Sequence, residues 1–338
     1  MAAHHTDAPI QEPCRWTAAD FTDETKPDHR LSEAMVAEIG AAATAALEDG
    51  RPHYHWRRAD FDLPKAGPML AAAYADIEDG PGFAIIGGWP VDDHDYEMNV
   101  AAYGVIASHL GEIKVQNYEG DWVVDVTDAD KPYSHTSRGY QSNALLPFHT
   151  DGADISGLLG LGEAASGGET ILVSSVTVYN TIAAERPDLL ALFARGFYHH
   201  RRRQHPEDEP PVSANRIPVF AFHDGLLHCC YNRNPIEWVR HEGMTLTERE
   251  VEALDVIDGI VGRPELQISI TIHKGEMLFF NNFTALHSRT AYQDNASHKR
   301  HLVRLWLEDS NSKRLGETLL DLYVPGTSRY EPAEDVRP

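Results

Sequence analysis

The sequence has few cysteines, no long apolar run and a deficit of basic residues, and each shortage excludes a class of protein. Three cysteines are too few for a disulfide framework. Cys229 and Cys230 are neighbours that would point to opposite faces of an extended chain, so we expect reduced thiols. No stretch approaches the roughly 18 consecutive apolar residues of a membrane-spanning helix, and no apolar segment follows a basic start as in a secretory signal. We therefore expect a cytoplasmic protein without a membrane partner.

The deficit of basic residues argues against nucleic acid as a partner. Lysine and arginine total 29 against 52 acidic residues, which gives a net charge of −23. Such a surface would repel a phosphate backbone. The one basic run, Arg201 to Arg203, is soon followed by acidic residues from Glu207 to Glu209, which predicts a solvated loop. A small-molecule partner fits this composition better, and association of identical copies stays open.

The remaining composition is typical of a folded protein, with 42% hydrophobic and 24% charged residues. Because no internal repeat or linker is visible, we expect a single domain over residues 16–325. The segments 1–15 and 326–338 are then expected to be disordered tails.

Three segments have the features of helices. The alanine-rich stretch Ser32–Leu47 ends shortly before Gly50, which is a common helix stop. A second helix is predicted over Tyr96–Leu110. A third is predicted over about Thr247–Val261, because Thr247 and Glu250 have the spacing of a capping box.

Strand patterns dominate the second half of the chain. Asp224-Gly225 separates two apolar runs and predicts a hairpin turn. Isoleucines alternate with polar residues from Leu266 to His273, which is typical of a strand with one buried face. The predicted strands cover residues 82–88, 217–222, 226–231, 266–273, 277–280 and 301–307. Many antiparallel strands with a few long helices indicate an α+β fold built on a β-sandwich or barrel-like double sheet.

The tripeptide His149-Thr150-Asp151 is the first candidate for chemistry. In extended backbone its imidazole and carboxylate face the same side and could bind one metal ion. With a second histidine, such a set suits iron(II) and leaves three coordination positions open. The tripeptide alone is weak, because His5-Thr6-Asp7 repeats it among 19 histidines, and His149 could simply be a polar residue at a strand end.

Further motifs follow in a fixed order. Gly167-Gly168-Glu169-Thr170 comes first, Phe279-Phe280-Asn281-Asn282 follows much later, and His287 comes shortly after it. Arg300 lies thirteen residues beyond His287, and Arg304 lies four further on. With this combination the sequence, from about residue 82 to residue 307, resembles the TauD/TfdA (taurine dioxygenase-like) family of iron(II)/2-oxoglutarate oxygenases.

The resemblance implies a double-stranded β-helix, or jelly-roll, core with flanking helices. It implies that His149, Asp151 and His287 bind iron(II). It further implies that Thr170 and Arg300 hold the far carboxylate of 2-oxoglutarate, the co-substrate that is consumed together with dioxygen. An arginine suits this role because it is permanently charged and can bind a carboxylate through two parallel hydrogen bonds.

The substrate side is less defined. Strand alternation places Arg304 on the same face as Arg300, so it could meet an acidic group of the substrate or instead brace Arg300 or a structural carboxylate. By the resemblance, Asn117 is a candidate substrate contact, with Gln116 and Tyr118 beside it, and Arg289 is expected to brace the metal site.

The expected reaction is hydroxylation of an unactivated C–H bond in a small acidic metabolite, such as an amino acid, with release of succinate and CO2. The alternative is a cupin-like metal protein, such as an isomerase, a decarboxylase or a small-molecule binding module, that does not turn over 2-oxoglutarate.

Overall fold

The computed structural model describes residues 9–22, 26–117, 119–130, 134–135 and 139–312. Four features named above lie outside the described residues: the tripeptide beginning at His5, Tyr118, the last expected domain residues 313–325 and the expected tail 326–338.

The helices agree with the sequence signals. The Ser32 side chain accepts a hydrogen bond from the backbone N–H of Met35 at the first helix, and Gly50 ends that helix in the left-handed region, with φ of 68°. Thr247 and Glu250 form the predicted capping box. The described helices are α1 (Glu33–Asp49), α2 (Gly67–Glu78), α3 (Tyr96–Ala107), α4 (Ser175–Glu185), α5 (Leu190–Arg195), α6 (Arg233–Trp238) and α7 (Glu248–Val261).

The predicted strands are also confirmed, with small shifts at their ends. The hairpin forms around Asp224-Gly225, but its first strand starts at Phe220 because Ile217 pairs with Phe197 instead. The described strands are β1 (Asp28–Arg30), β2 (Phe83–Gly87), β3 (Glu112–Lys114), β4 (Val124–Val126), β5 (Leu146–His149), β6 (Ile155–Gly162), β7 (Ser166–Gly167), β8 (Thr170–Ser174), β9 (Phe220–His223), β10 (Leu226–Cys229), β11 (Gln267–Ile270), β12 (Met277–Asn281), β13 (Ala285–Arg289), β14 (Tyr292–Gln293) and β15 (His301–Glu308).

Two sheets form the centre of the molecule. The larger has the order β1-β2-β12-β6-β15-β3, and β4 also pairs with β15. The smaller has the order β11-β8-β13-β5 and is antiparallel throughout. Together with the helices they form the expected α+β jelly-roll architecture.

Alternating side chains of the strands separate an inner core from an outer core. Leu158 of β6 and Leu278 of β12 pack with Leu172 of β8 between the two sheets. Their chain neighbours Leu159 and Phe279 point the other way, into a cluster with α1, α2 and α3. A third cluster joins the outside of the smaller sheet to α4, α5 and α7. The space between the sheets is therefore closed on both sides by helices, as the period of two predicts.

The amino-terminal boundary differs from the expectation. Residues 9–15, expected in a disordered tail, pack against the domain: the Ile10 backbone exchanges two hydrogen bonds with the Asn180 side chain, and Cys14 is buried. The Glu12 carboxylate accepts a bond from the Leu227 backbone N–H. Composition alone does not reveal this order, because it comes from contacts with distant residues.

Two shortages noted in the sequence have structural counterparts. Cys14, Cys229 and Cys230 are all buried free thiols, as expected. Of the helices among the described residues, not one combines the length and the apolar character needed to cross a bilayer.

Candidate metal centre

The smaller sheet brings the three predicted metal ligands together. His149, the last residue of β5, is the register partner of His287 in β13, and Asp151 follows two residues beyond the strand end. The Nε2 atom of His149 lies 4.0 Å from Asp151 Oδ1, and that of His287 lies 3.9 Å from Oδ2. One atom from each of the three residues lies within 4.8 Å of the others. Two imidazoles and one carboxylate at this spacing form a three-ligand face for a divalent cation such as iron(II).

The protonation of both imidazoles suits metal binding. His149 Nδ1 lies 2.8 Å from the Pro147 carbonyl oxygen, which can only accept, so Nδ1 carries the proton and Nε2 presents its lone pair. Burial lowers the pKa of His149. Burial, followed by the influence of His149, lowers the pKa of His287 to about 3. Both rings are therefore neutral near pH 7, as a ligand must be.

The Asp151 carboxylate is fixed in its charged form. Burial alone would raise its pKa, but the nearby Arg304 charge and the two histidines hold the pKa well below its usual range. Oδ2 also accepts hydrogen bonds from the Ser156 hydroxyl at 2.9 Å and from the Trp306 indole N–H at 3.0 Å. The Asp151 backbone N–H donates to the Asn282 amide oxygen at 2.9 Å. Trp306 lies in β15, two residues after Arg304 and so on the same strand face, whereas Ser156 reaches the carboxylate from β6 and Asn282 from the turn after β12.

Arg304 contacts the metal centre itself. Its Nη1 lies 3.3 and 3.4 Å from the two Asp151 carboxylate oxygens, and its Nε donates to the Gln116 amide oxygen at 2.7 Å. The guanidinium lies over the Trp306 ring, 4.7 Å from the ring centroid. Of the guanidinium nitrogens of Arg304, only Nη2 has no hydrogen-bond partner among the described residues. Of the expected roles, bracing a structural carboxylate is the one these contacts support, and a substrate contact stays a prediction restricted to Nη2.

A second cationic group lies where 2-oxoglutarate is expected. Arg300 and Arg289 stack on the same Tyr292 ring, with centroid distances of 5.1 and 4.9 Å. Thr170 is buried and is the register partner of Arg289. Burial, and then the neighbouring Arg289, lower the pKa of Arg300 to about 10, so it keeps its charge at neutral pH.

The two arginines retain unused donors. The Arg300 side chain donates to the Gly168 carbonyl oxygen at 3.3 Å, and Arg289 donates to the Ser142 carbonyl oxygen at 2.6 Å and to that of Ala144. Arg300 Nη1 and Arg289 Nε and Nη1 lack hydrogen-bond partners within the described part of the chain. Arg289 therefore braces the 142–144 segment and, with Arg300, leaves a buried cationic site fit for a carboxylate.

One cavity of about 680 Å³ is lined by all seven predicted site residues: Asn117, His149, Asp151, Thr170, His287, Arg300 and Arg304. The Asn117 amide is occupied locally, since its Nδ2 donates to the Asp121 carboxylate at 2.7 Å and its Oδ1 accepts from the Asp121 backbone N–H. Its role as a substrate contact stays a prediction.

The basic run was only partly interpreted correctly. Arg203 is exposed, as a solvated loop requires. The prediction of a solvated loop is wrong for Arg201 and Arg202. Arg201 is buried and donates to Glu209 at 2.7 Å, and both residues line the cavity. The His200 backbone N–H, just before the basic run, donates to the Pro235 carbonyl oxygen in α6. The local charge pattern does not reveal this contact between distant segments.

Comparison with known proteins agrees with this site. Residues 47–306 match the model of the family described as "Taurine catabolism dioxygenase TauD, TfdA family". The chain is 34% identical over 312 residues to the FR-33289 synthase of Streptomyces rubellomurinus, covering 90% of this chain and 91% of the relative. It is 28% identical over 312 residues to the taurine hydroxylase-like protein SAT17 of Stachybotrys chartarum, covering 88% and 79%.

Solved structures share the fold. An asparagine oxygenase in complex with Fe(II), (2S,3S)-3-hydroxyasparagine and succinate has a TM-score of 0.62 at 16% identity, over 84% of this chain and 94% of the other. The non-heme iron oxygenase OrfP in complex with Fe and alpha-ketoglutaric acid has a TM-score of 0.59 at 16% identity, with the same coverage.

Proposed function

The chain belongs to the TauD/TfdA family of iron(II)- and 2-oxoglutarate-dependent dioxygenases, and we propose that it hydroxylates an unactivated C–H bond of a small, anionic, amino-acid-like metabolite. In the balanced reaction the substrate, dioxygen and 2-oxoglutarate give the alcohol, succinate and CO2. The observation that carries the proposal is one cavity that holds both the His149, Asp151 and His287 face and the Thr170 and Arg300 pair.

Different residues of the cavity would bind the metal and the co-substrate. His149, Asp151 and His287 would hold iron(II), which when bound supplies the site where dioxygen and 2-oxoglutarate react. Arg300 and Thr170 would hold the far carboxylate of 2-oxoglutarate. A cupin-like metal protein without 2-oxoglutarate turnover has no evident need for buried guanidinium donors at this position.

The substrate class is supported by the cavity and by the relatives. A volume of about 680 Å³ must also hold 2-oxoglutarate, which leaves room for a metabolite of similar size but not for a polymer. The structures of asparagine oxygenase and OrfP contain hydroxylated amino acids. The walls carry several arginines although the protein as a whole is strongly acidic, so the cavity offers an anion local positive partners.

Turnover with a panel of substrates tests the proposal. Enzyme loaded with iron(II) is incubated with 2-oxoglutarate and isotope-labelled dioxygen in the presence of single amino acids, their amides and aminosulfonates. We expect an anionic member of the panel to stimulate succinate formation and to gain one labelled oxygen atom. If 2-oxoglutarate is never converted to succinate, with or without a panel compound, the proposed activity is wrong.

A further inference from the structure

The cations of the cavity differ in whether they are already paired with a carboxylate. The lining contains six lysine and arginine residues: Lys114, Arg201, Arg202, Arg289, Arg300 and Arg304. Three have acidic partners: Lys114 pairs with Glu308, Arg201 with Glu209 and Arg304 with Asp151. The charges of these three side chains are neutralised within the protein and attract an incoming anion only weakly.

The other three cations form no ion pair with any described residue. Arg289 and Arg300 lie together on Tyr292, and the proposed function assigns their end of the cavity to 2-oxoglutarate. Arg202 is the third. Its backbone N–H donates to His200 Nδ1 at 3.0 Å, but its guanidinium has no hydrogen bond or ion pair with the described part of the chain. A partly buried, unpaired guanidinium at a cavity wall is a ready partner for an anion.

Arg202 belongs to a different side of the metal centre from the 2-oxoglutarate group. In the smaller sheet β8, which carries Thr170, and β5, which carries His149, lie on opposite sides of β13. Asn232 extends the sheet beyond β5 through a bridge to His149, and the His200 backbone N–H bonds the Pro235 carbonyl oxygen just after it. The chain around His200 therefore lies beyond the β5 edge, away from Thr170.

Arg202 and the buried His199 both line the cavity, although the Arg202 backbone belongs to a loop. Burial first, and then the Arg202 charge, lower the pKa of His199 to about 3, which agrees with a guanidinium that faces the interior of the protein.

The local backbone keeps Arg202 at the wall. Arg202 and its neighbour Arg203 both have positive φ, 54° and 60°, a conformation that costs on the order of 1–2 kcal/mol for a residue with a side chain. The buried Arg201 anchors this turn by donating to Glu209 and to the Pro210 carbonyl oxygen, and its own carbonyl accepts from the Gln204 backbone N–H. The result directs Arg202 to the cavity while Arg203 is exposed.

We propose that Arg202 binds the anionic group of the primary substrate, a carboxylate or a sulfonate, so that the cavity has two anion sites on opposite sides of the metal ligands. Arg289 and Arg300 take the co-substrate, and Arg202 takes the substrate. Arg304, which the sequence suggested for this role, is committed to Asp151. This inference rests on the proposed function, because it assumes that 2-oxoglutarate fills the other site.

Small anions test the site without knowledge of the substrate. The melting temperature of anaerobic, iron(II)-loaded enzyme saturated with 2-oxoglutarate is measured in sulfate, in acetate and in chloride at equal ionic strength. We expect sulfate or acetate to raise the melting temperature relative to chloride and about 2–4 °C of that rise to depend on Arg202, because binding to the folded state adds to the general stabilisation that sulfate gives by exclusion from protein surfaces. The anion whose effect depends more strongly on Arg202 distinguishes a sulfonate-type from a carboxylate-type substrate.

Arg203→Gln is the matched control for Arg202→Gln, because it removes the same charge from the adjacent residue, with the same backbone conformation, at an exposed position. The full rise in melting temperature should persist in Arg203→Gln and should fall in Arg202→Gln to the general salt effect of the anion. An equal effect in both variants, or no effect of either anion on the wild type, would overturn the assignment of Arg202.

A substrate found by the turnover panel gives the second readout. Arg202→Gln should raise the KM for that substrate at least tenfold, whereas Arg203→Gln should leave the substrate KM, the KM for 2-oxoglutarate and the slow substrate-free succinate formation unchanged. The neutral amide of the substrate should be equally poor with both proteins. If wild-type enzyme forms no succinate at all, the proposed function fails; if it does and the substrate KM is the same in both proteins, only the role of Arg202 fails.

Discussion

Arg304 donates to the carboxylate of Asp151, with Nη1 3.3 Å from Oδ1 and 3.4 Å from Oδ2, and thereby joins a buried guanidinium to one of three metal ligands. The Gln116 amide oxygen accepts a hydrogen bond from Nε of the same guanidinium, and Gln116 Nε2 donates to the Arg304 carbonyl oxygen at 2.8 Å. Two hydrogen bonds therefore join Gln116 to Arg304. The carboxylate is thus oriented and kept charged before any metal binds.

Replacement of Arg304 should therefore weaken the metal site. In Arg304→Gln the affinity for iron(II) is expected to fall about 10- to 100-fold, the usual effect of losing a residue that orients a metal ligand. Anaerobic equilibrium dialysis against iron(II) measures it. Arg304→Lys keeps the charge but loses the planar guanidinium contact, so its iron(II) affinity should lie between those of the wild type and Arg304→Gln. If Arg304→Gln binds iron(II) as wild type does but loses substrate-stimulated turnover, the residue acts on the substrate instead.

Removal of any one ligand should abolish the centre. His149→Ala, Asp151→Ala and His287→Ala should each lose most iron(II) binding and all succinate formation, because two ligands do not hold the ion on this face. His298→Ala is the control, since His298 is exposed and lies outside the cavity lining. Full activity of the Asp151 variant would show that another group supplies the third ligand.

The co-substrate contacts should differ in strength. Arg300→Gln is expected to cost about 2–5 kcal/mol of 2-oxoglutarate binding, because it leaves a buried carboxylate without its charged partner. Thr170→Val should cost about 1–2 kcal/mol, since only one neutral donor is lost. The 2-oxoglutarate concentration that gives half-maximal succinate formation measures both effects. A larger loss for Thr170→Val than for Arg300→Gln would reverse the assignment of the main contact.

Gly168 should control the same site indirectly. A Cβ at this position would lie 2.8 Å from Cδ and Nε of Arg300, and the residue has φ of 86°. Gly168→Ala should therefore displace Arg300 and raise the 2-oxoglutarate requirement about tenfold or more, as a loss of about 1.4 kcal/mol or more would. Gly259→Ala is the matched change in α7, where a Cβ meets nothing within 4 Å.

Gly259→Ala should stabilise the protein by about 0.5–1 kcal/mol, the usual gain for alanine over glycine in a helix, and should leave the 2-oxoglutarate requirement unchanged. Urea unfolding measures the difference. Equal 2-oxoglutarate requirements in the two variants would mean that Arg300 tolerates displacement or does not bind the co-substrate.

The sequence predicted the parts of the fold that depend on local pattern. The capping box at Thr247 forms as predicted, and neighbouring residues of β15 face opposite sides, with Leu302 in the inner core and Val303 in the outer core. Each feature depends on residues a few positions apart. The family resemblance, which depends on the order of the motifs, predicts that His149, Asp151 and His287 share one metal site, and the three lie together. The packing of Ile10 against Asn180 and the inward position of Arg202 were missed, since both depend on contacts between distant segments.

The same limit explains the partial outcome for Arg304. Strand alternation predicted the face on which it lies, and the cavity lining agrees. Alternation does not say which of several groups on that face the guanidinium meets, and the partner, Asp151, is held 153 residues away in the chain. The sequence leaves three roles open for Arg304, a contact with the substrate, bracing of Arg300 and bracing of a structural carboxylate, and only the three-dimensional contacts favour the last.

Anaerobic addition of 2-oxoglutarate to the iron(II)-loaded protein tests the central claim most directly. Chelation of iron(II) by 2-oxoglutarate gives a visible metal-to-ligand charge-transfer absorption before any dioxygen is present, so the measurement needs no substrate. We expect a saturable band in the wild type and in Arg203→Gln, a much higher half-saturation concentration in Arg300→Gln, and no band in Asp151→Ala. A wild-type protein that binds iron(II) but develops no band at any 2-oxoglutarate concentration would contradict it.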